Sequence, residues 1–578
     1  MKTSTATKFA ALLSTSVLLL AACSGGGATD SAESSDSGEA ASAGGPQAGG
    51  TLYILTQAEQ ILHLDPQRNY TGADIAFAGG LMHRTLVTFD EAGNIVPDLA
   101  TDIGRTDDGG QTWEFTLRDG ITFEDGSPIT CDDVKYGMSR SFAQDVITDG
   151  PAFLVAYLDM ENYEGPYTGV GQDQYDDAFK CVDDKNMVIR LNTPVIDFNG
   201  AFTLTISTPV PAASDTGEFY DDRPVSSGPY KIESYEIGRE LKLVRNDNWD
   251  PESDPIRNAY PDEIIMQFSL DPKIIDERLI ASEGPDANAI AYSVQPENLD
   301  RIFADADLSE RALNVFDPYV RYVAVNTASV PCVEIRKAVY YALDREAILT
   351  AAGGKYAGET ADGVIKPNLP LDYRAVTGYD DLMPAGNAAV AGEWMDKAAT
   401  TCPDVHARAT GAGLSLDYAS TPTNEKYAAA WVSSLGANAG ITIIPNPIEP
   451  GQYYGVVLDP GSQGDLNFAG WGPDWPNAST VVPALFTPDG GFDLSRAIEG
   501  DPEAYAEFAG IVAAGKGEVD RNAQGSLWAD GNQLAMDRVW VIPTLFGKTQ
   551  LLPGSKVGNA YFWDAYGWYN PADLYLEQ

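Results

Sequence analysis

Hydrophobic and polar positions alternate through Trp113-Glu114-Phe115-Thr116-Leu117-Arg118, the two-residue period of a half-buried strand. Residues 50–55, Gly-Thr-Leu-Tyr-Ile-Leu, read as an opening strand, and Asp65-Pro66 then breaks the chain into a turn. A helix is predicted over residues 76–87. Asp119-Gly120 and Asp125-Gly126-Ser127-Pro128 are turn signals on either side of another short strand. Thr130 stands as the N-cap of a helix beginning at Cys131, with Asp133 at the capping-box position. Further strands are predicted at 188–191, at 229–232 after the tight turn Val225-Ser226-Ser227-Gly228, and at 321–326. Residues 333–349 read as a helix carrying Ile335, Val339, Ala342 and Leu343 at helical spacing. Strands at 415–418 and 441–444 bracket a helix at 425–435, and that order predicts an α/β domain.

The N-terminus follows a different pattern. Lys2 and Lys8 precede or open an almost wholly apolar run over residues 9–22, too short to span a bilayer and flanked like a signal peptide. It ends in Leu20-Ala21-Ala22-Cys23, which resembles a bacterial lipobox; the resemblance implies removal of residues 1–22 and lipid on Cys23. An ordinary secretory signal with an incidental Cys is the alternative. Residues 24–50 are chiefly Gly, Ser, Ala, Asp and Glu with no aromatic residue, so they cannot bury enough surface to offset ordering entropy. Residues 23–49 are expected to be a flexible tether.

The rest of the chain is long enough for more than one domain, and 44% hydrophobic residues suffice for full cores. A net charge of −47 argues against nucleic-acid binding, which needs clustered Lys and Arg. It also disfavours electrostatic attachment to anionic lipid. The charge reads first as a solubility device, with attraction of cationic ligands as a corollary. Apart from Cys23 there are four cysteines, Cys131, Cys181, Cys332 and Cys402, which allow three pairings or four free thiols.

One family shares the order of these motifs. Leu64-Asp65-Pro66, the stretch from Trp113 through Gly120, Asp125-Gly126 and Thr130 to Arg140, Ser227-Gly228-Pro229-Tyr230, Arg245-Asn246, Asn326-Thr327, Arg336-Lys337-Ala338, Ala342-Leu343-Asp344-Arg345-Glu346 and Gly470-Trp471 with Asp474 occur in sequence. In this the chain resembles solute-binding protein family 5 of ABC importers, the oligopeptide- and dipeptide-binding proteins, from residue 50 to the C-terminus. The resemblance implies an α/β, two-lobed periplasmic-binding-protein-like fold (type II, cluster C), with an extra subdomain on the first lobe and a hinged cleft. The first lobe is expected at 50–92, 210–317 and 548–578, the subdomain at 93–209 and the second lobe at 318–547. The pairing Cys131–Cys181 and Cys332–Cys402 is favoured because each bridge closes a loop inside one such domain. Each bridge then contributes about 4 kcal/mol in the chain-entropy model. The protein implied is an exported monomer, lipid-anchored to the outer face of the cell membrane. It captures peptides for an ABC permease and ATPase, with no cofactor, metal or nucleic acid.

The Gly- and Pro-dense stretch Gly470-Trp471-Gly472-Pro473-Asp474-Trp475-Pro476-Asn477 reads as a loop, where binding residues collect. The resemblance implies that Asp474 pairs with a peptide α-ammonium; closing an Asx-turn is the plainer alternative. A buried ammonium needs such a charged, hydrogen-bonding partner. Pro476 before Asn477 departs from the family pattern and leaves the shape of the ligand's first pocket open. Trp471 is expected to wall the site, with Trp475, Tyr453 and Tyr454 as further candidates. Glu59 or Gln60 matches a cleft-lining segment of the family.

Enzyme readings find little support. His63, His83 and His406 lie at no metal-ligand spacing, and no HExxH, GxSxG or SxxK occurs. The stretch ending in Gly515-Lys516 lacks the Ser or Thr of a phosphate loop, having Gly517 instead. Paired carboxylates are unavoidable among 84 acidic residues, so a secreted glycoside hydrolase is the enzyme alternative. Within the family, an oligosaccharide binder would use aromatic platforms, and a haem or nickel binder would call for more His.

Overall fold

A computed structural model describes residues 46–577. The signal segment 1–22, Cys23 and the tether as far as residue 45 lie outside the described residues. No described helix is long and apolar enough to cross a membrane.

Two sheets build two lobes. In the first, Thr51–Leu55 runs parallel to both Glu263–Gln267 and Ala289–Ala291. Glu240–Arg245 and Tyr230–Glu236 extend that sheet antiparallel. In the second, the strand order is Gly358–Thr360, Val541–Leu551, Leu313–Val325, Leu466–Trp471, Leu414–Ala419, Ile443–Ile448. A third sheet, Thr112–Thr116, Asn186–Arg190 and Phe179–Cys181, is antiparallel. Its inward residues Trp113, Phe115 and Ile189 share one apolar core with Leu52, Ile54 and Ile264 of the first sheet. The second lobe's core draws on residues from Val320 to Phe546.

The lobes are joined by a pair of long strands. Leu313–Val325 pairs with Val541–Leu551 from Leu313↔Leu551 to Ala324↔Val541, with a register break between Phe316 and Val320. Pro318 stands in that break and has no N–H for a ladder. Lys366 fills the break. Its buried ammonium donates to the Asp317 carbonyl, to Asp317 Oδ1 at 3.2 Å, to Tyr319 O at 3.1 Å and to Gly547 O at 2.9 Å. Burial brings the Lys366 pKa down to about 8.

Charged residues far apart in sequence meet as buried ion pairs. Arg140 Nη2 lies 2.6 Å from Asp65 Oδ2, and Arg140 Nε lies 3.1 Å from Asp215. Arg84 and Arg257 share Asp98 and Asp254. Arg336 and Arg538 share Asp501. Gly228 brings its backbone against the end of the first helix, where a Cβ would lie 2.7 Å from Leu81 O. Cys131 is bonded to Cys181, tying a helix start to the third sheet; Cys332 is bonded to Cys402, tying two helix ends in the second lobe.

Several element bounds differ from the sequence pattern. The helix expected at 76–87 is Gly72–Leu81, while Val87–Phe89 is a strand paired with Ile95–Pro97. The buried Arg84 is drawn onto Asp98 and Ser253, which holds the chain out of the helix beyond Leu81. The single helix expected at 333–349 is two, Val333–Ala342 and Arg345–Ala352, because the Asp344 side chain accepts from Ala347 N–H at 2.8 Å and caps the second. Between Gly120 and Pro128 there is only an isolated bridge, Thr122↔Pro128. The strand expected at 321–326 extends back to Leu313, across the Asp-Pro that reads as a breaker. The helix expected at 425–435 is Pro422–Ala439, capped by Thr421, and the strand that follows is Ile443–Ile448. The capping box at Thr130 is formed: Thr130 N–H and hydroxyl both donate to Asp133, at 2.9 and 2.7 Å.

Candidate functional site

The strand Leu466–Trp471 delivers the Gly- and Pro-rich loop to the cleft; Gly470 and Trp471 are its last two strand residues, and the loop proper starts at Gly472. Gly472 is required where it stands, because a Cβ there would meet the Tyr319 ring at 2.8 Å. Asp474 N–H donates to Thr480 Oγ1 at 3.1 Å, which fixes the direction of the side chain. Asp474 Oδ1 accepts from Tyr70 Oη at 2.6 Å across the cleft from the first lobe. Asp474 Oδ2 is buried and has no hydrogen-bond partner among the described residues. Burial raises the Asp474 pKa to about 7, although the Tyr70 hydrogen bond opposes the rise. A buried carboxylate oxygen without a donor is costly and marks a place for one from outside.

A pocket of about 170 Å³ surrounds this carboxylate, walled by Tyr70, Leu204, Tyr319, Trp471 and Tyr566 among others. Trp471 donates through Nε1 to Thr480 O at 2.8 Å and packs on Phe492. The pocket adjoins a chamber of about 420 Å³ in the second lobe, with which it shares Tyr319 and Gly470. Both Tyr453 and Tyr454 line the chamber. Tyr453 is buried, its hydroxyl bound to Phe468 O at 2.5 Å, whereas Tyr454 is 46% exposed. Glu59 and Gln60 lie on the first lobe, in a separate hollow of about 450 Å³ with Asp74 and Tyr292. Burial raises the Asp74 pKa, so the cleft carries a second perturbed carboxyl besides Asp474.

Trp475, expected as a ligand contact, lines neither the Asp474 pocket nor the chamber. Its ring seats on Gly200, where a Cβ would come within 2.4 Å, and lies 5.1 Å from Phe153. Asp197 Oδ2 accepts from Trp475 Nε1 at 2.7 Å, Asn477 Nδ2 at 2.8 Å and Ser479 Oγ at 2.6 Å. The backbone carries the side chains of successive loop residues to different sides, so one loop serves both the cleft and the contact between lobes. Asp197→Ala is therefore expected to raise the ligand dissociation rate about tenfold or more with little change in association rate, because it removes a half-buried charged acceptor shared by three donors of the opposite lobe. Stopped-flow displacement checks this.

Tyr70, Tyr319 and Asp197 did not stand out in the sequence. Tyr319 had one signal, its place after Asp317-Pro318; Tyr70 and Asp197 had none, since each acts through a partner hundreds of residues away. The histidines are engaged or peripheral to the cleft: His63 Nδ1 lies 2.6 Å from Asp221, and buried His83 binds Leu64 O at 2.9 Å, with burial lowering its pKa to about 4. His406 sits on the helix Pro403–Thr410. Cys332, Glu334 and Cys402 cluster closely, but both sulfurs are in the disulfide, which leaves one carboxylate as a metal donor.

Two α/β lobes linked by paired strands around a carboxylate-bearing cleft define a type II solute-binding protein. Residues 94–493 match the description "Bacterial extracellular solute-binding proteins, family 5 Middle", and the chain belongs to that family. It is 22% identical over 527 residues to the oligopeptide-binding protein OppA of Bacillus subtilis, covering 86% of this chain and 89% of that one. It is 24% identical over 346 residues to di/tripeptide-binding protein 1 of Pseudomonas aeruginosa, a match spanning 56% of this chain and 60% of that protein. Among solved structures it is similar to clavulanic acid biosynthesis oligopeptide binding protein 2, with TM-score 0.80, 29% identity, and 92% and 96% of the two chains covered. Haemophilus influenzae OppA in complex with RPPGFSPFR shares the fold, with TM-score 0.69 at 18% identity over 91% and 99% of the chains. Members of the family are substrate-binding proteins rather than enzymes, and these relatives bind peptides.

Proposed function

We propose that this protein is an exported, lipid-anchored receptor that captures peptides with a free amino terminus and delivers them to an ABC permease. The observation that carries this reading is Asp474 Oδ2, a buried acceptor without a partner among the described residues, facing a pocket between the lobes. A peptide ammonium brings three donors and a positive charge. It satisfies the orphan oxygen, and its charge favours the ionised carboxylate that burial disfavours. The Tyr70 hydroxyl holds the other oxygen, so the ammonium meets a carboxylate already oriented by both lobes. Lobe contact through Asp197 and the paired strands that cross between the lobes at Asp317-Pro318-Tyr319 supply the closing element. Lipid on Cys23 and a tether through residue 49 would hold the folded body near the membrane.

A second reading, an oligosaccharide receptor, is favoured by the aromatic wall of the larger chamber. A thermal-shift screen of residues 46–578 against di- to octapeptides, oligosaccharides and haem, after stripping co-purified ligand, tests the choice. Peptides are expected to raise the unfolding temperature; a rise with sugars alone would discard Asp474 as an amine anchor.

The raised pKa gives the binding a pH signature. Below about pH 7 the free protein holds a proton on Asp474 that the ammonium must displace, so affinity falls about tenfold per pH unit. Above about pH 8 the peptide amine itself loses its charge. Affinity is expected to peak between these limits, and the acid limb should vanish in Asp474→Asn. In the ligand-free protein the same group has the opposite sign from an ion-paired carboxylate: it lowers stability as pH rises from 3.8 to about 7.

A further inference from the structure

The strands Leu313–Val325 and Val541–Leu551 carry the chain between the lobes, and their ladder is interrupted from Phe316↔Lys548 to Val320↔Phe546. Within that gap the carbonyls of Asp317, Tyr319 and Gly547 all accept from one side chain, the buried ammonium of Lys366. Asp317 Oδ1 is its fourth acceptor, at 3.2 Å. An ammonium has three donors, so these contacts use its whole capacity. Two of the carbonyls stand on either side of Pro318 and the third on the partner strand. The bonds therefore span the place where the lobes are joined.

Lys366 is fixed from the second lobe. Its segment follows Gly358–Thr360, a strand of the second-lobe sheet, and Val364 N–H donates to Asn532 Oδ1 at 3.0 Å on the helix Arg521–Asp537. Tyr319 carries the contact on to the ligand site, because its ring walls the Asp474 pocket and packs against Gly472. The lobes are closed on each other here, through Tyr70 with Asp474 and through Asp197 with its three donors. Charges face the ammonium from each side. Asp317 and Arg321 stand on one crossing strand, 4.0 Å apart. Lys548 stands on the other, paired with Glu359 at 3.0 Å; the Phe316 ring centre lies 4.5 Å from the Lys548 ammonium and 5.1 Å from that of Lys366. Asp564 attracts Lys366 from the first lobe. These attractions do not offset the loss of water, and burial leaves the Lys366 pKa at about 8.

We propose that Lys366 is a positioning residue at the hinge: it pins both crossing strands to the second lobe when the lobes are closed, and opening parts these bonds and admits water, so the side chain takes up a proton from solvent on opening and returns it on closing. A cation with a lower pKa in the closed form than in the open one favours closure as pH rises from about 8 towards 10.5. Below about pH 8 the side chain is charged in both forms, and burying that charge works against closure. The empty receptor is thereby biased towards the open form, and ligand contacts must supply the difference. Closure then depends on ligand without Lys366 touching it.

Single-molecule energy transfer in the ligand-free body, residues 46–578, which forms one compact unit, tests this. Dyes are carried by Ile237→Cys on the first lobe and Val519→Cys on the second, both at exposed positions. The ratio of closed to open molecules should rise about tenfold or more in total between pH 7 and pH 10. In Lys366→Met, which never carries the charge, and in Lys366→Arg, which never loses it in this range, the ratio should change less than about twofold. Asp564→Asn alters an exposed side chain and so keeps the test open should either hinge variant fail to fold. It removes an attraction for the ammonium and should move the onset of the rise to lower pH. A flat or falling profile in the native protein, the same rise in either folded Lys366 variant, or an unmoved onset in Asp564→Asn would overturn the role of Lys366. No peptide enters the experiment, so its outcome is independent of the peptide reading.

Discussion

Asp474→Asn weakens a peptide with a free amino terminus by about 2–5 kcal/mol, the usual cost of removing one partner of a desolvated charge pair. The amide keeps the shape of the side chain and one acceptor oxygen, but it loses the charge. Its nitrogen would also turn donors toward either Tyr70 or the ammonium, since Oδ1 and Oδ2 face one each. An N-acetylated peptide of the same sequence has no ammonium to lose, so its weaker affinity changes by less than about threefold. Titration calorimetry on both peptides gives the comparison directly. Equal losses for the two would mean that Asp474 shapes the loop rather than anchoring an amine.

Arg140→Met lowers the unfolding free energy by about 3–5 kcal/mol, because it leaves buried carboxylates without their cation. Arg140 makes paired hydrogen bonds to Asp65, at 2.7 and 2.6 Å, a further one to Gln67, and one to Asp215 at 3.1 Å. The Tyr220 ring lies 4.8 Å from the guanidinium carbon, so the methionine stem retains packing while the charge is lost. Asp65 also receives the N–H of Gln67 and, through its carbonyl, those of Arg68 and Asn69, which sets the turn leading to Tyr70. The destabilised variant should therefore also bind peptide less tightly. Urea denaturation monitored by tryptophan fluorescence measures the first effect; a loss under about 1 kcal/mol would show that the cluster is relaxed by water.

The motif residues Asp65 and Arg140 were legible as signals, but their partnership was not. Each reads locally, one as a turn and the other as a helix end, and only the tertiary fold brings them to 2.6 Å. The same holds for the loop after Gly470. Its Gly and Pro content announced a turn and placed Asp474 in it, whereas the division between Asp474 facing the cleft and Trp475 facing Gly200 depends on backbone direction, which composition does not encode. Strand alternation was visible at Trp113–Arg118 because the pattern is local. It was hidden at Leu313–Val325, where Asp317-Pro318 mimics a terminator and the strand continues only because Lys366 supplies the donor contacts at the break.

The most direct test of peptide capture through an amine anchor is a calorimetric titration of the native folded body at pH 6 with one tripeptide, free and N-acetylated, in two buffers of different ionisation enthalpy. The account predicts that the free peptide binds at least about a hundredfold more tightly and releases close to one proton per peptide at this pH, as the ammonium displaces the proton held by Asp474. Equal affinity for the two peptides, with no proton released by either, would contradict it.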